Sequence, residues 1–348
     1  MPDRMTLKSP RLADLAEAKR EWSNRLLAPA AATSFYALSR SAPAMPSTNV
    51  VGVGIGEKLD GQKPTGVLAV KFLVRKKYPK EHLSRAERLP ASIHGLPVDV
   101  EEVGLLRALA PRRKSKSQAL SAAESPNPRK RYRPAQPGAS LGFADPNQQF
   151  VMAGTFGARA SARGKWFFLS NNHVLADENR LPLGSPIFQP GLLDHGNAAH
   201  DKVGELVKFI PLKASGFNKV DCALAEAISK TVISDSILQI GVPSGVAEAT
   251  VDMIVEKFGR TTGYTAGRVT SINTDVKVSY DTGQFLFRRQ IIVVGISGRP
   301  FSDSGDSGSL ILERSSARAV GLLFGGSKTH TIANHIRQVL TALDVRLG

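Results

Sequence analysis

Gly305-Asp306-Ser307-Gly308-Ser309 is the stretch that decides how this chain is read. A serine hydroxyl is a weak nucleophile in water. It attacks a carbonyl only when a histidine takes its proton, a carboxylate orients that histidine, and N–H groups hold the oxyanion. A Gly-Asp-Ser-Gly turn supplies the last of these. Its glycines let the backbone curl until the N–H groups of Gly305 and Ser307 point at one spot. An ordinary glycine turn between two strands has the same spelling, so the partners must be sought elsewhere.

Upstream, Phe167-Phe168-Leu169-Ser170-Asn171-Asn172-His173-Val174-Leu175 reads as an apolar strand that ends in small polar residues and a histidine. His173 therefore stands at a strand end, able to face a cleft; a lone histidine is otherwise a surface or core residue. Between the two segments lies Val220-Asp221-Cys222-Ala223-Leu224-Ala225, an aspartate at the head of a short apolar strand. A buried aspartate needs a hydrogen-bond partner, which an imidazole N–H supplies; the plainer alternative is a strand-capping acid. The order is His, Asp, Ser, with separations of 48 and 86 residues. That order is one of several convergent solutions and belongs to chymotrypsin-like double barrels.

Further blocks carry a resemblance. Phe258-Gly259-Arg260-Thr261-Thr262-Gly263-Tyr264 resembles the Gly-Arg-Thr-Thr-Gly-Tyr segment of alpha-lytic protease and the streptogrisins. Arg133-Pro134, Pro137-Gly138-Ala139-Ser140-Leu141-Gly142, Ala153-Gly154-Thr155-Phe156-Gly157, Gln189-Pro190-Gly191, Val51-Gly52-Val53-Gly54-Ile55-Gly56 and Gly321-Leu322-Leu323-Phe324-Gly325-Gly326 look like the bacterial relatives of the plant Narrow leaf 1 family of trypsin-like serine peptidases. The similarity spans roughly residues 48–348. It implies a mainly β fold: a chymotrypsin-like double β-barrel with a C-terminal helix, preceded by a small α+β module. It implies a serine endopeptidase that needs no cofactor. Ser307 would be acylated, His173 would act as base and then acid, Asp221 would set the imidazole tautomer, and the N–H groups of Gly305 and Ser307 would form the oxyanion hole. By the same resemblance Arg260 would pair with Asp306, which suggests that no activating cut is needed. Counting back from Ser307 puts Phe301 near the floor of the specificity pocket, with Phe324, Gly325 and Gly326 along it. That favours an uncharged side chain before the scissile bond. Ser309 departs from most chymotrypsin-like enzymes, where a second glycine usually stands.

Composition sets the outer bounds. At 348 residues and 42% apolar content the chain has ample core for two domains. Fifteen Phe, 31 Gly and 21 Pro fit strands and turns better than long helices. Cys222 is the only cysteine, so no internal disulfide forms, which favours the cytosol. No apolar stretch reads as a signal peptide or membrane span. The net charge of +16 is uneven: residues 1–146 hold 25 basic and 13 acidic residues, a net +12. It is densest at Arg112-Arg113-Lys114-Ser115-Lys116 and Arg129-Lys130-Arg131-Tyr132-Arg133. These suit either a solvated basic linker or contact with nucleic acid or another acidic partner, although no base-reading module is present.

Along the chain, residues 1–47 hold a helix over 11–27, with Leu12, Leu15, Trp22 and Leu26 at helical spacing and Lys19 interrupting the stripe. Such a helix docks on this chain or on a second copy, leaning towards a homo-oligomer. Residues 48–104 read as the small module, with strands over 49–57, 67–75 and 97–103. Its Gly52, Gly54 and Gly56 lack the Gly-x-Gly-x-x-Gly spacing of a dinucleotide loop. They are better suited to the close approach of another backbone. Residues 105–137 form the basic linker and 138–348 the peptidase domain, closed by a helix over 331–345. Asp194-His195-Gly196 and His200-Asp201 are too loosely spaced for a metal site and read as a solvated loop. Two other functions stand beside the endopeptidase: a catalytically silent peptide-binding scaffold, and association with nucleic acid through the linker.

Overall fold

The computed structural model describes residues 9–27, 49–61, 63–85, 87–108, 126–144, 151–296 and 298–348. It is mainly β, a chymotrypsin-like double barrel with a C-terminal helix. The first barrel is an eight-stranded curled sheet. Its central run pairs Ala158–Ala162 with Lys165–Ser170, Ala223–Ala227 and Lys202–Phe209 in turn. Inward residues such as Leu141, Phe143, Phe156, Phe168, Ile187 and Leu206 fill its interior.

The second barrel closes on itself. Ile254–Gly259, Leu310–Glu313, Arg318–Gly326, His330–His335, Gln284–Gly295 and Gly263–Ser279 follow one another, and the last pairs back to the first. Val255, Val269, Val293, Phe301, Ile311 and Leu323 form its interior. Between the barrels lies a third apolar layer, with Leu169, Cys222, Leu310 and Leu322 under Ile336, Val339 and Leu343 of the C-terminal helix. Burial pushes the Cys222 thiol well above its ordinary value, so it is a core side chain rather than a thiolate.

The closing helix is shorter than its apolar stripe indicates, spanning Ile336–Leu343. Residues 330–335 are a strand, buried at five of six positions and hydrogen-bonded on both sides. Ile332 belongs to that strand, because closing the barrel satisfies its backbone on both edges.

The N-terminal residues extend the second barrel's sheet. Val50–Asp60 pairs with Gly263–Ser279 on one side and with Lys63–Val74 on the other, and Leu96–Glu102 joins parallel to Lys63–Val74. Gly56 shows why this strand is glycine-rich: a Cβ there would collide with the Thr270 carbonyl of the neighbouring strand. The helix Ser9–Leu27 lies on this sheet, with Leu15 and Leu27 buried while Leu12 stays 42% exposed. Lys19 is the anchor rather than an interruption. It is buried and paired with Asp275, and Ser23 donates to the same carboxylate at 2.5 Å. The helix docks on its own chain.

The linker is not uniform. Residues 112–116 lie outside the described residues. Arg107–Ala108 is a short strand. Arg131 and Arg133 both reach the buried Asp201, at 2.7 and 3.2 Å, and Ala135 N–H donates to the Val232 carbonyl. The Arg129–Arg133 cluster therefore neutralises acids of the first barrel. No helix among the described residues is long and apolar enough to cross a membrane.

Candidate active site

Register brings His173 and Asp221 together. Ala223 pairs with Ser170 across antiparallel strands, so the chain just before Ala223 lies opposite the chain just after Ser170. The latter turns at once into a four-residue helix, Asn172–Leu175, that carries His173. His173 Nδ1 meets Asp221 Oδ2 at 2.5 Å, and both side chains are buried. The carboxylate also accepts from Asn172 N–H at 2.7 Å, His173 N–H at 3.3 Å and the Tyr280 hydroxyl at 2.8 Å. Its own N–H donates to Asn334 Oδ1 at 2.9 Å, which ties Asp221 to the second barrel. An ionised carboxylate with this set of donors holds Nδ1 protonated and leaves Nε2 as the acceptor. His173 Nε2 is buried and has no protein partner.

Ser307 comes from the second barrel, in the turn before Leu310–Glu313. Its carbonyl accepts from Thr155 N–H at 2.8 Å. A Cβ on Gly154 would touch both Val174 and the Ser307 carbonyl, so the Ser307 backbone lies against the helix bearing His173. Gly308 is required there: φ is 96° and a Cβ would strike Ser170 Oγ and the Thr155 carbonyl. The Ser307 hydroxyl donates to the Phe324 carbonyl at 3.2 Å rather than to His173. Among the described residues, neither Gly305 N–H nor Ser307 N–H has a protein acceptor. Both donors are thus unspent, as an oxyanion hole requires. Ser309 braces the turn by donating its hydroxyl to the Asp306 carbonyl at 2.6 Å.

The expected Arg260–Asp306 pair is not made. Arg260 instead grips Asp194 through Nε and Nη2 at 2.5 and 2.6 Å. Asp306 takes Lys257, whose Nζ is 3.2 Å away, together with the N–H groups of Thr261, Thr262 and Asp303 and the Thr262 hydroxyl. The reason lies in strand alternation. Along Ile254–Gly259 the buried Val255, Lys257 and Gly259 share one face, so Lys257 points inward towards Asp306, while Arg260 follows the strand and turns away. Burial pulls the Lys257 amine below its ordinary value, and Asp306 opposes that shift. The 194–201 segment differs from a solvated loop for a related reason. Asp194 and Asp201 are both buried, one held by Arg260 and the Ser140 hydroxyl, the other by Arg131 and Arg133. No cluster of three metal-ligating side chains occurs among the described residues.

The pocket residues divide. The ring of Phe301 lies in the second barrel's interior, with Lys257 Nζ 5.9 Å from its centroid. The ring of Phe324 packs on Phe287 at 4.7 Å, and only its carbonyl faces Ser307. Gly325 and Gly326 pair with the chain's own Ala108 and Arg107. Sequence reasoning missed Tyr280, Asn334 and Lys257. Lys257 carried a signal, a lysine in the inward register of an apolar strand; the other two carried none.

The fold and this constellation define the class of the trypsin-like double barrels. Residues 216–338 match the family model described as the Nal1 C-terminal domain. No curated protein sequence matches the chain. Similar solved structures include protease A of Thermobifida fusca, at 18% identity and TM-score 0.44 over 61% of this chain and 97% of that one. A Nocardiopsis protease is 19% identical at TM-score 0.43, over 61% and 97%. The protease domain of MamO from Magnetospirillum magneticum is 12% identical at TM-score 0.36, over 58% and 93%.

Proposed function

We propose that the protein is a serine endopeptidase. Ser307 attacks the peptide carbonyl as its proton passes to His173 Nε2, and Asp221 stabilises the imidazolium that results. The tetrahedral oxyanion is held by Gly305 N–H and Ser307 N–H. His173 then gives the proton to the leaving amine, and water releases the acyl group by the same steps in reverse. The observation that carries this reading is His173: an imidazole oriented by a buried carboxylate, its second nitrogen sealed from water and unpaired. An unpaired buried acceptor is costly, about 1–3 kcal/mol, and proton abstraction gives it a use.

The test is covalent labelling. A fluorophosphonate should modify the folded protein at Ser307, as read by mass spectrometry, and Ser307→Ala should take up none. Failure of the folded native protein to react would sink the proposal. The bond from the Ser307 hydroxyl to the Phe324 carbonyl favours a second reading, a silent peptide-binding scaffold of the same fold. That reading requires no labelling at all.

A further inference from the structure

The strand Arg318–Gly326 reaches the nucleophile at Phe324, whose carbonyl accepts the Ser307 hydroxyl. The next two residues, Gly325 and Gly326, carry no side chains to fend off a neighbour. A bare strand edge running up to a nucleophile is where an extended peptide adds by main-chain hydrogen bonding. That edge is already taken. Arg107–Ala108 pairs with it antiparallel, Ala108 opposite Gly325 and Arg107 opposite Gly326. A Cβ on Gly325 would come within 2.8 Å of the Arg107 carbonyl.

Direction matters as much as position. From Phe324 to Gly326 the barrel strand runs away from Ser307, so from Arg107 to Ala108 the paired strand runs towards it. A substrate whose carbonyl carbon is to be attacked by Ser307 must enter with this polarity, its C-terminal side leading. The strand is also firmly held. The Leu106 carbonyl accepts from Ser279 N–H at 3.0 Å, and Val103 N–H donates to the Val74 carbonyl at 2.8 Å. Val103 and Leu106 are buried with Leu73, Val278 and Phe324. Just upstream, Glu101 bonds His330 at 3.0 Å and Lys71 at 2.6 Å.

We propose that Arg107–Ala108 is an intramolecular substrate mimic, which fills the acyl-side peptide groove beside Ser307 and competes with any extended peptide that the groove would bind. The proposal rests on the reading of Ser307 as the nucleophile. The N-terminal extension of the second barrel then has a role: it delivers and anchors this strand.

The test uses the full chain. Ala108→Pro removes a main-chain donor from a strand paired on both edges. Arg107→Ala keeps the backbone and serves as control. Leu106→Ala loosens the buried anchor and should act in the same direction as Ala108→Pro, more weakly. A small fluorophosphonate should label all four proteins within about twofold of one another, since it needs no groove. An alanyl-alanyl-phenylalanyl diphenyl phosphonate, which does, should label Ala108→Pro at least tenfold faster than the parent or Arg107→Ala. Amide exchange at Ser279, Gly325 and Gly326 should quicken in Ala108→Pro, with the rest of the barrel unchanged. Equal peptidyl-phosphonate rates in parent and Ala108→Pro, with fluorophosphonate active on both, would overturn the proposal. So would unchanged protection of Gly325 and Gly326. If fluorophosphonate labels nothing, the hydrolase reading has failed, and the strand is judged by binding alone. A fluorescein-tagged peptide of residues 103–108 should then bind Ala108→Pro/Ser307→Ala and not Ser307→Ala. Binding to neither, or to both equally, refutes it.

Discussion

The two halves of the candidate site are built to different ends. On the first-barrel side, Asp221 accepts four hydrogen bonds and its backbone is tied across to Asn334, so His173 has one orientation available. On the second-barrel side, the Ser307 hydroxyl rests on a carbonyl, two N–H donors stand unspent, and a strand of the same chain lies along the neighbouring glycines. The first half is pre-organised; the second is pre-organised but occupied. Pre-organised dipoles stabilise a transition state because they need not reorient during reaction. An occupied groove must first be emptied, a step that can be controlled separately from the chemistry.

Removing the orienting carboxylate should break the comparison most severely. Asp221→Asn keeps the shape and reverses the tautomer preference of His173. The labelling rate of Ser307 by fluorophosphonate should fall by about 10⁴-fold, with the thermal midpoint little changed. A fall of less than tenfold would mean that His173 is not the base.

Next in size are the two buried cations that brace the second half. Lys257→Met leaves Asp306 with its neutral donors and no counter-charge. Breaking a buried pair in this way costs about 3–5 kcal/mol, and the four remaining donors to Asp306 place this case at the lower end. Arg260→Met, which strands Asp194 instead, should destabilise by a similar amount. Only Lys257→Met should also slow Ser307 labelling, because only Asp306 adjoins Ser307. Denaturant midpoints and labelling rates measured on both variants separate the two effects. Equal loss of labelling in both would restore Arg260 to the role its motif implies.

The anchor beneath the tethered strand gives a pH signature. Burial pushes the Glu101 carboxyl up, but His330 and Lys71 outweigh it and hold the group at about 2, below its ordinary 4.5. A depressed carboxylate stabilises the fold above its unfolded pKa and loses that contribution as pH falls through the window from about 4.5 to about 2. The shift corresponds to roughly 3 kcal/mol. Stability followed by chemical denaturation should therefore drop more steeply in that window for the parent than for Glu101→Gln. Parallel pH curves for the two proteins would show that the cluster contributes nothing.

What was legible in the sequence follows the range of the interaction that fixes each feature. Gly-Asp-Ser-Gly, the Ser-Asn-Asn-His strand end and Val-Asp-Cys are local spellings, each set by the turn or strand end it must form. His173, Asp221 and Ser307 could be singled out for that reason. The Arg260 motif points to the wrong carboxylate because Lys257 and Arg260 sit three residues apart in one hairpin. Only the inward alternation of Val255, Lys257 and Gly259 distinguishes them. Asp194 is 66 residues from Arg260 and nothing local marks it as the partner. The two-residue strand at Arg107–Ala108 is too short for any periodicity, and its pairing spans more than 200 residues to Gly325. It lies in a stretch whose basic, proline-rich composition reads as linker. The helix over 331–345 failed at its N-terminal end because Ile332 fits an apolar stripe of either period until the barrel claims it.

Tyr280 is the smallest test and the one that best separates orientation from charge. Its hydroxyl donates to the same Oδ2 of Asp221 that holds His173 Nδ1, and its ring meets the imidazole edge-on at 5.7 Å. Burial and the neighbouring carboxylate raise the phenol well above its ordinary range, so it stays a neutral donor wherever the protein is folded. Tyr280→Phe keeps the stack with Phe287 and deletes one charge-assisted hydrogen bond of about 1.5–3 kcal/mol. Asp221 retains three donors, which limits the loss. The labelling rate of Ser307 should fall by about tenfold or less, since the hydroxyl no longer fixes the rotamer of Asp221. A loss as large as that of Asp221→Asn would make the hydroxyl as important to the imidazole's orientation as the carboxylate itself. An unchanged rate would place the tyrosine hydroxyl outside this network.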